Sequence, residues 1–117
     1  MVYSGIMKPI IKFADFEKID LRVGQIVSCR VPSWSQKLLE LRVDFGPEIG
    51  EKIVFAGVQK YFAPDYLTGK KAAFVVNLLE RKMGEGVSQG MMLVASDENS
   101  HSPLFIEDTV APGASVR

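Results

Sequence analysis

The sequence predicts an all-β fold, a small barrel of five strands, and three observations predict it. Apolar residues recur with a period of two in several short runs, Gly and Pro clusters separate those runs, and only one internal stretch carries helix start and stop signals. At 117 residues the chain is one domain, and 47% hydrophobic with 24% charged residues is a globular composition with enough apolar side chain to fill a core.

The clearest run begins at Ile19. Ile19, Leu21, Val23, Val27, Cys29 and Val31 occupy odd positions, with Asp20, Arg22, Gly24, Ser28 and Arg30 between them, so a long half-buried strand with its odd face inward is expected. Gly24 marks a point where the strand can bend or another backbone can approach. After the breaker Pro32-Ser33-Trp34-Ser35, a second strand follows as Leu39, Leu41, Val43 and Phe45 against Glu40, Arg42 and Asp44. Gly46 to Gly50 reads as a turn and Lys52 to Val58 as a third strand. Pro64, Asp65, Tyr66 and Leu67, ended by Gly69, form the one expected internal helix. The apolar runs Lys71 to Leu78 and Met91 to Ala95 are the fourth and fifth strands, with a glycine-containing loop from Met83 to Gly90 between them.

Five strands with a short helix between the third and fourth match the order of an OB-fold barrel, with a β-sandwich as the structural alternative. The expected barrel core runs from about residue 16 to 96 of a single domain, residues 1–117, flanked by segments 1–15 and 97–117. Those flanks carry Ile6, Ile10, Ile11, Phe105, Ile106 and Val110, apolar side chains suited to a dimer interface.

Composition narrows the function. Fourteen basic against fourteen acidic residues argue against wrapping of long nucleic acid by the whole surface but leave room for a local basic face. One cysteine, Cys29, and one histidine, His101, exclude an internal disulfide and supply too few ligands for structural zinc, so neither metal nor cofactor is expected. No apolar run reaches the ~18 residues of a membrane span, and a soluble, cytoplasmic protein is expected.

Several constellations carry chemistry in their residue types. Gly86-Val87-Ser88-Gln89-Gly90 spells G-x-S-x-G, but a nucleophile elbow needs a strand before the serine and a helix after it, whereas here a glycine loop precedes and a strand-like run follows. No catalytic residues are assigned. Arg81 and Lys82, at the end of the fourth apolar run, either bind phosphate oxygens or form a solvated strand end. Asn77, an amide in a run that otherwise reads as buried, either pins a neighbouring loop or lines a site. Trp34, with Lys37 three residues on, either stacks on an unpaired base or caps the barrel mouth. Met83, Met91 and Met92 either pack the core or line a groove that takes an apolar peptide.

The ordered set Asp20-Leu21-Arg22-Val23-Gly24-Gln25-Ile26-Val27, Lys37-Leu38, Val43-Asp44-Phe45-Gly46, Asn77-Leu78, Arg81-Lys82-Met83 and Ser88-Gln89-Gly90-Met91 resembles the EMAP II/Trbp111-like tRNA-binding domain, found free-standing and appended to methionyl-tRNA synthetases and their accessory proteins. The resemblance runs from about Phe16 to Arg117. It implies an OB-fold that recognises the shape of tRNA, a homodimer in the free-standing members, and RNA contacts at Lys37, Asn77, Arg81, Lys82, Ser88, Gln89 and Met91. Arg42 joins these as a cation expected near phosphate. The stretch Asp44 to Gly50 is similar to the CsaA branch of the same family, which implies an alternative: a homodimeric, export-related chaperone that binds unfolded polypeptide, with Trp34, Met83 and Met91 as its apolar contacts.

Overall fold

In the computed structural model, which describes residues 5–117, the chain forms a nearly closed antiparallel barrel with short helices. Residues 1–4 of the expected N-terminal flank lie outside the described residues. Strands β1 (Leu21–Arg30), β2 (Leu39–Asp44), β3 (Glu51–Ala56), β4 (Lys71–Val75) and, in fifth place, β7 (Met91–Met92) lie in the order β3-β2-β1-β4-β7. Two hairpins, β5 (Arg81–Met83) with β6 (Gly86–Ser88) and β8 (Val94–Ser96) with β9 (His101–Pro103), flank the fifth strand, and β10 (Ser115–Val116) pairs with the start of β1. The expected helix is α3 (Pro64–Leu67). Two further single turns accompany it, α1 (Phe13–Phe16) and α2 (Gly46–Ile49), the latter where a plain turn was expected.

The inward phase of β1 corrects the odd-position reading. Pairing with β2 shifts by one residue between Ile26 and Ser28, so Val27 is the extra residue of a bulge and is exposed, while Ile26 is fully buried. Beyond the bulge Cys29 packs against the core, as its odd position requires. Before it the even positions point inward: a Cβ on Gly24 would strike Val43, Phe45 and Phe74, all core residues. Val23, on the outer face, is nevertheless buried, because the tail crosses it with hydrogen bonds from Val23 N–H to Ala114 O (2.9 Å) and from Gly113 N–H to Val23 O (2.7 Å). Alternation read across a bulge reverses its meaning, and a covering tail then disguises the reversal.

The tail also explains two shortened strands. In β4 Ala72 and Phe74 face the barrel core, and along the edge away from β1 the chain around Leu104 joins the pairing, its carbonyl accepting the Ala73 N–H at 3.0 Å. The fifth run breaks at Leu93, whose carbonyl accepts the Leu104 N–H at 3.1 Å, so the tail takes up pairing that a continuous strand would have made. The core itself is built from Ile26, Leu39, Leu41, Val43, Phe45, Val54, Leu67, Phe74 and Met92, with the Phe45 and Phe74 rings edge to face at 5.3 Å. No helix among the described residues is long and apolar enough to cross a membrane.

Candidate nucleic-acid interface

Two loops flank the outer face of β2 and β3. The first, residues 31–38 between β1 and β2, is held from below by Gln59, whose amide donates to Ser35 O (3.0 Å) and Leu38 O (2.7 Å), while Ser35 Oγ accepts the N–H groups of Lys37 and Leu38. Its backbone is fixed and the Lys37 side chain stands in solvent. The second, residues 76–90 between β4 and β7, is longer than the expected loop from Met83 to Gly90, because β4 ends at Val75 rather than Leu78, and it contains the β5–β6 hairpin, so Arg81 and Lys82 lie on a hairpin strand and not at the end of β4. Gly84 has φ +59° at the first of two turn residues, the position that a type II′ hairpin turn gives to glycine.

Trp34 joins the two loops. Its ring lies against Phe55 at 5.5 Å between centroids; a Cβ on Gly84 would run into the indole and one on Gly86 into the Phe55 ring with the indole close by, so the two glycines form the seat for this aromatic pair. Trp34 therefore packs between the loops, half-buried, with much of its surface spent on the hairpin.

The hairpin's alternation separates its two cations. Arg81 pairs with Ser88 and Met83 with Gly86, so these share the face turned toward Phe55, while Lys82 shares the outer face with the exposed Val87. Neither cation forms an ion pair among the described residues. Arg42 differs: it lies on the outer face of β2 and its guanidinium meets Glu51 at 2.8 Å, much as Arg30 grips Glu40 at 2.7 Å. Arg30 and Arg42 are thus neutralised across strands, whereas Lys37 on the first loop and Arg81 and Lys82 on the hairpin form no ion pair among the described residues.

Ser88, Gln89 and Asn77 are bound into the fold. Ser88 is 4% exposed, and its hydroxyl accepts from Phe55 N–H (3.0 Å) and donates to Gly90 O (3.1 Å). Gln89 brackets Ile53, donating its N–H to Ile53 O (2.8 Å) and accepting Ile53 N–H on Oε1 (2.9 Å). Together these bonds close the barrel between β3 and the approach to β7. Asn77 is exposed rather than buried, yet both ends of its amide are used: Oδ1 accepts Asp20 N–H (2.8 Å) and Nδ2 donates to Lys18 O (2.7 Å), pinning the entry to β1. Pinning was one of the two readings open for Asn77; what sequence reasoning missed is the use of Ser88 and Gln89 as strand pairing, since a polar residue at a barrel seam has the same local pattern as one at a binding site.

An apolar groove of about 680 Å³ opens beside the hairpin, lined by Phe55, Val58, Leu78, Leu79, Met83 and Met91 among others, with Arg81 on its wall. Leu79 is 94% and Met91 48% exposed.

The remaining reactive groups lie outside this region's chemistry. Ser88 sits at the end of β6 with strand β7 following, and no helix follows it as an elbow requires. His101 stacks on Tyr61 at 3.6 Å and meets Ser96 Oγ through Nδ1 at 2.9 Å. Burial pushes the Cys29 thiol up to about 11, away from thiolate reactivity. No cluster of metal ligands exists among the described residues.

A five-position antiparallel barrel with two facing loops, unpaired cations and an apolar groove defines a small binding module of the OB type. Residues 21–115 match the family described as "Putative tRNA binding domain", and the chain belongs to that family. It is 43% identical over 115 residues to the methionine–tRNA ligase of Albidiferax ferrireducens, covering 94% of this chain and 16% of that one. It is 44% identical over 110 residues to the methionine–tRNA ligase of Chromobacterium violaceum, again over 16% of the relative's length. The chain therefore spans a small fraction of the relatives it matches. Its fold superposes on a MetRS-related protein from Pyrococcus horikoshii with TM-score 0.88 at 32% identity, covering 94% of this chain and all of that one. The CsaA chaperone protein from Picrophilus torridus gives 0.84 at 29% identity, covering 92% and 100%.

Proposed function

We propose that this chain binds tRNA by shape, as a module acting with or within a methionyl-tRNA synthetase, and that it works in the cytoplasm without a cofactor. The observation that supports the reading is the meeting of the two loops through Trp34, since those loops bear Lys37, Arg81 and Lys82, none in an ion pair among the described residues. Phosphate contacts of this kind set affinity without reading sequence. Shape selectivity follows from the same site, because Ser88 and Asn77 are committed internally and Gln89 has only its amide nitrogen to offer a base edge. Lys37, Arg81, Lys82 and Met91 are the direct contacts in this reading, whereas Ser88, Gln89 and Asn77 position the loops that bear them. Arg42 stays with Glu51. Catalysis has no part in it.

Three released counterions give a log-log salt slope between about −2 and −3 for tRNA binding, measured by mobility shift from low to physiological salt. Arg81→Ala with Lys82→Ala lowers affinity and flattens the slope by about two units, while Arg42→Ala leaves the slope unchanged. Binding that ignores salt, or survives the double substitution undiminished, sinks the electrostatic site.

A second reading, the peptide-binding chaperone, is favoured by one observation, the apolar groove with Leu79 and Met91 at its rim. Peptide held there would show little salt dependence.

A further inference from the structure

The groove beside the hairpin has a composition that the phosphate contacts do not use. Its lining contains a single charged residue, Arg81, and no carboxylate. Its polar side chain, Ser88, is hydrogen-bonded to Phe55 and Gly90, so apart from Arg81 the side chains of its walls are committed or apolar, methionine and leucine among them. The volume, about 680 Å³, falls in the range of clefts that hold drug-sized molecules. An occupant matched to these walls has flat apolar faces, tolerates unread edges, and carries one negative charge close to its apolar body.

We propose that the groove receives an unstacked nucleobase of the bound RNA, with the adjoining phosphate on Arg81. The inference rests on the tRNA reading above and gives the groove its part in it. Met83 and Met91 supply polarizable thioethers against the base, a contact that favours the rim and face of an aromatic ring. Arg81 lies on the same hairpin face as Met83, so a nucleotide with its base among the methionines has its phosphate within that face's reach, and Lys82 on the other face of the ribbon meets the strand as it leaves. An apolar peptide fits the walls as well as a base does. What favours the nucleotide is charge: a lone guanidinium among apolar side chains, with no acid in the lining and no ion pair to the neighbouring Glu80, complements an anion. Because apolar side chains hold the base by its faces, the groove accepts any base, in keeping with recognition by shape.

Methionine methyl NMR on the full chain separates this from the function it rests on. With carbon-13 in the methionine methyls, a folded tRNA shifts the Met83 and Met91 signals through the ring current of the base, upfield over its face or downfield at its edge, and leaves Met7, on the N-terminal arm, in place. Arg81→Ala removes the shift. Met83→Ala with Met91→Ala weakens tRNA binding about three- to tenfold while the salt slope stays as in the parent, since no phosphate contact is lost. Tight, salt-dependent tRNA binding with both methyls unmoved overturns the groove proposal and leaves the tRNA reading standing. Failure to bind tRNA, with the same methyls moved by an unfolded peptide lacking aromatic residues, overturns both.

Discussion

A hydroxyl that accepts one backbone N–H and donates to one backbone carbonyl has little left for a ligand, and Ser88 is used in that way. Removing it strands the Phe55 N–H in a buried position, and an unsatisfied buried donor costs about 1–3 kcal/mol. Ser88→Ala is therefore expected to lower the unfolding free energy by that amount, read as a lower urea midpoint at unchanged m. At temperatures where the variant remains folded, its tRNA affinity should change less than that of Arg81→Ala. A variant of parental stability with tRNA binding abolished would instead return Ser88 to the RNA surface. The same distinction separates Arg42 from Arg81: equal side chains by type, one held at 2.8 Å by a carboxylate on the neighbouring strand and the other unpaired. Cross-strand charge pairs lie at separations in sequence that no local pattern reveals, so the neutralised cation and the free one looked alike.

At the scale of elements, the hairpin and the first loop form one unit through Trp34. Gly84 is required twice there, by its positive φ and by the indole above it. Gly84→Ala is expected to destabilise the protein by about 1–3 kcal/mol, from backbone strain and displacement of the ring together. Trp34 is the only tryptophan, so its fluorescence reports the event directly: the emission maximum moves to longer wavelength as the indole leaves its seat. An unchanged spectrum and an unchanged urea midpoint would mean that the loops are not coupled through Trp34. The strands, their order and α3 were legible because period-two runs and Gly-Pro punctuation are local signals. The bulge at Val27 was not, since Gln25 and Ile26 break the alternation in a way that a register shift explains only once β2 lies alongside. The hairpin within residues 81–88 was hidden for a related reason: three-residue strands are too short to show a period. As for the site, the residue types around Arg81 and Lys82 were readable, but which polar groups face outward depended on closure of the barrel by Ser88 and Gln89.

At the scale of the whole molecule, the two apolar flanks separate into different roles. The tail from Leu104 onward is fastened to its own barrel by Ile106 N–H to Lys71 O, by the Lys71 ammonium on Asp108 O and Val110 O, and by β10 against β1. In the N-terminal arm, by contrast, Met7, Ile10 and Ile11 stand 82%, 91% and 61% exposed, with Phe13 beside them. Several adjacent aliphatic side chains left in water form a patch of the kind that marks an interface, and we propose that a second copy covers it, giving a homodimer. A two-fold dimer would present two sets of Lys37, Arg81 and Lys82, and where one tRNA reaches both, the second contact is intramolecular and raises affinity without any new residue. Light scattering at micromolar concentration is expected to give twice the chain mass of 12.9 kDa. Ile10→Asp with Ile11→Asp should give the single mass while leaving the barrel's urea midpoint unchanged, because neither residue belongs to the core. A parent protein that runs at the single mass would remove the dimer. A variant that stays dimeric would move the interface to Leu78 and Leu79 at the groove, which would then be unavailable to a nucleotide.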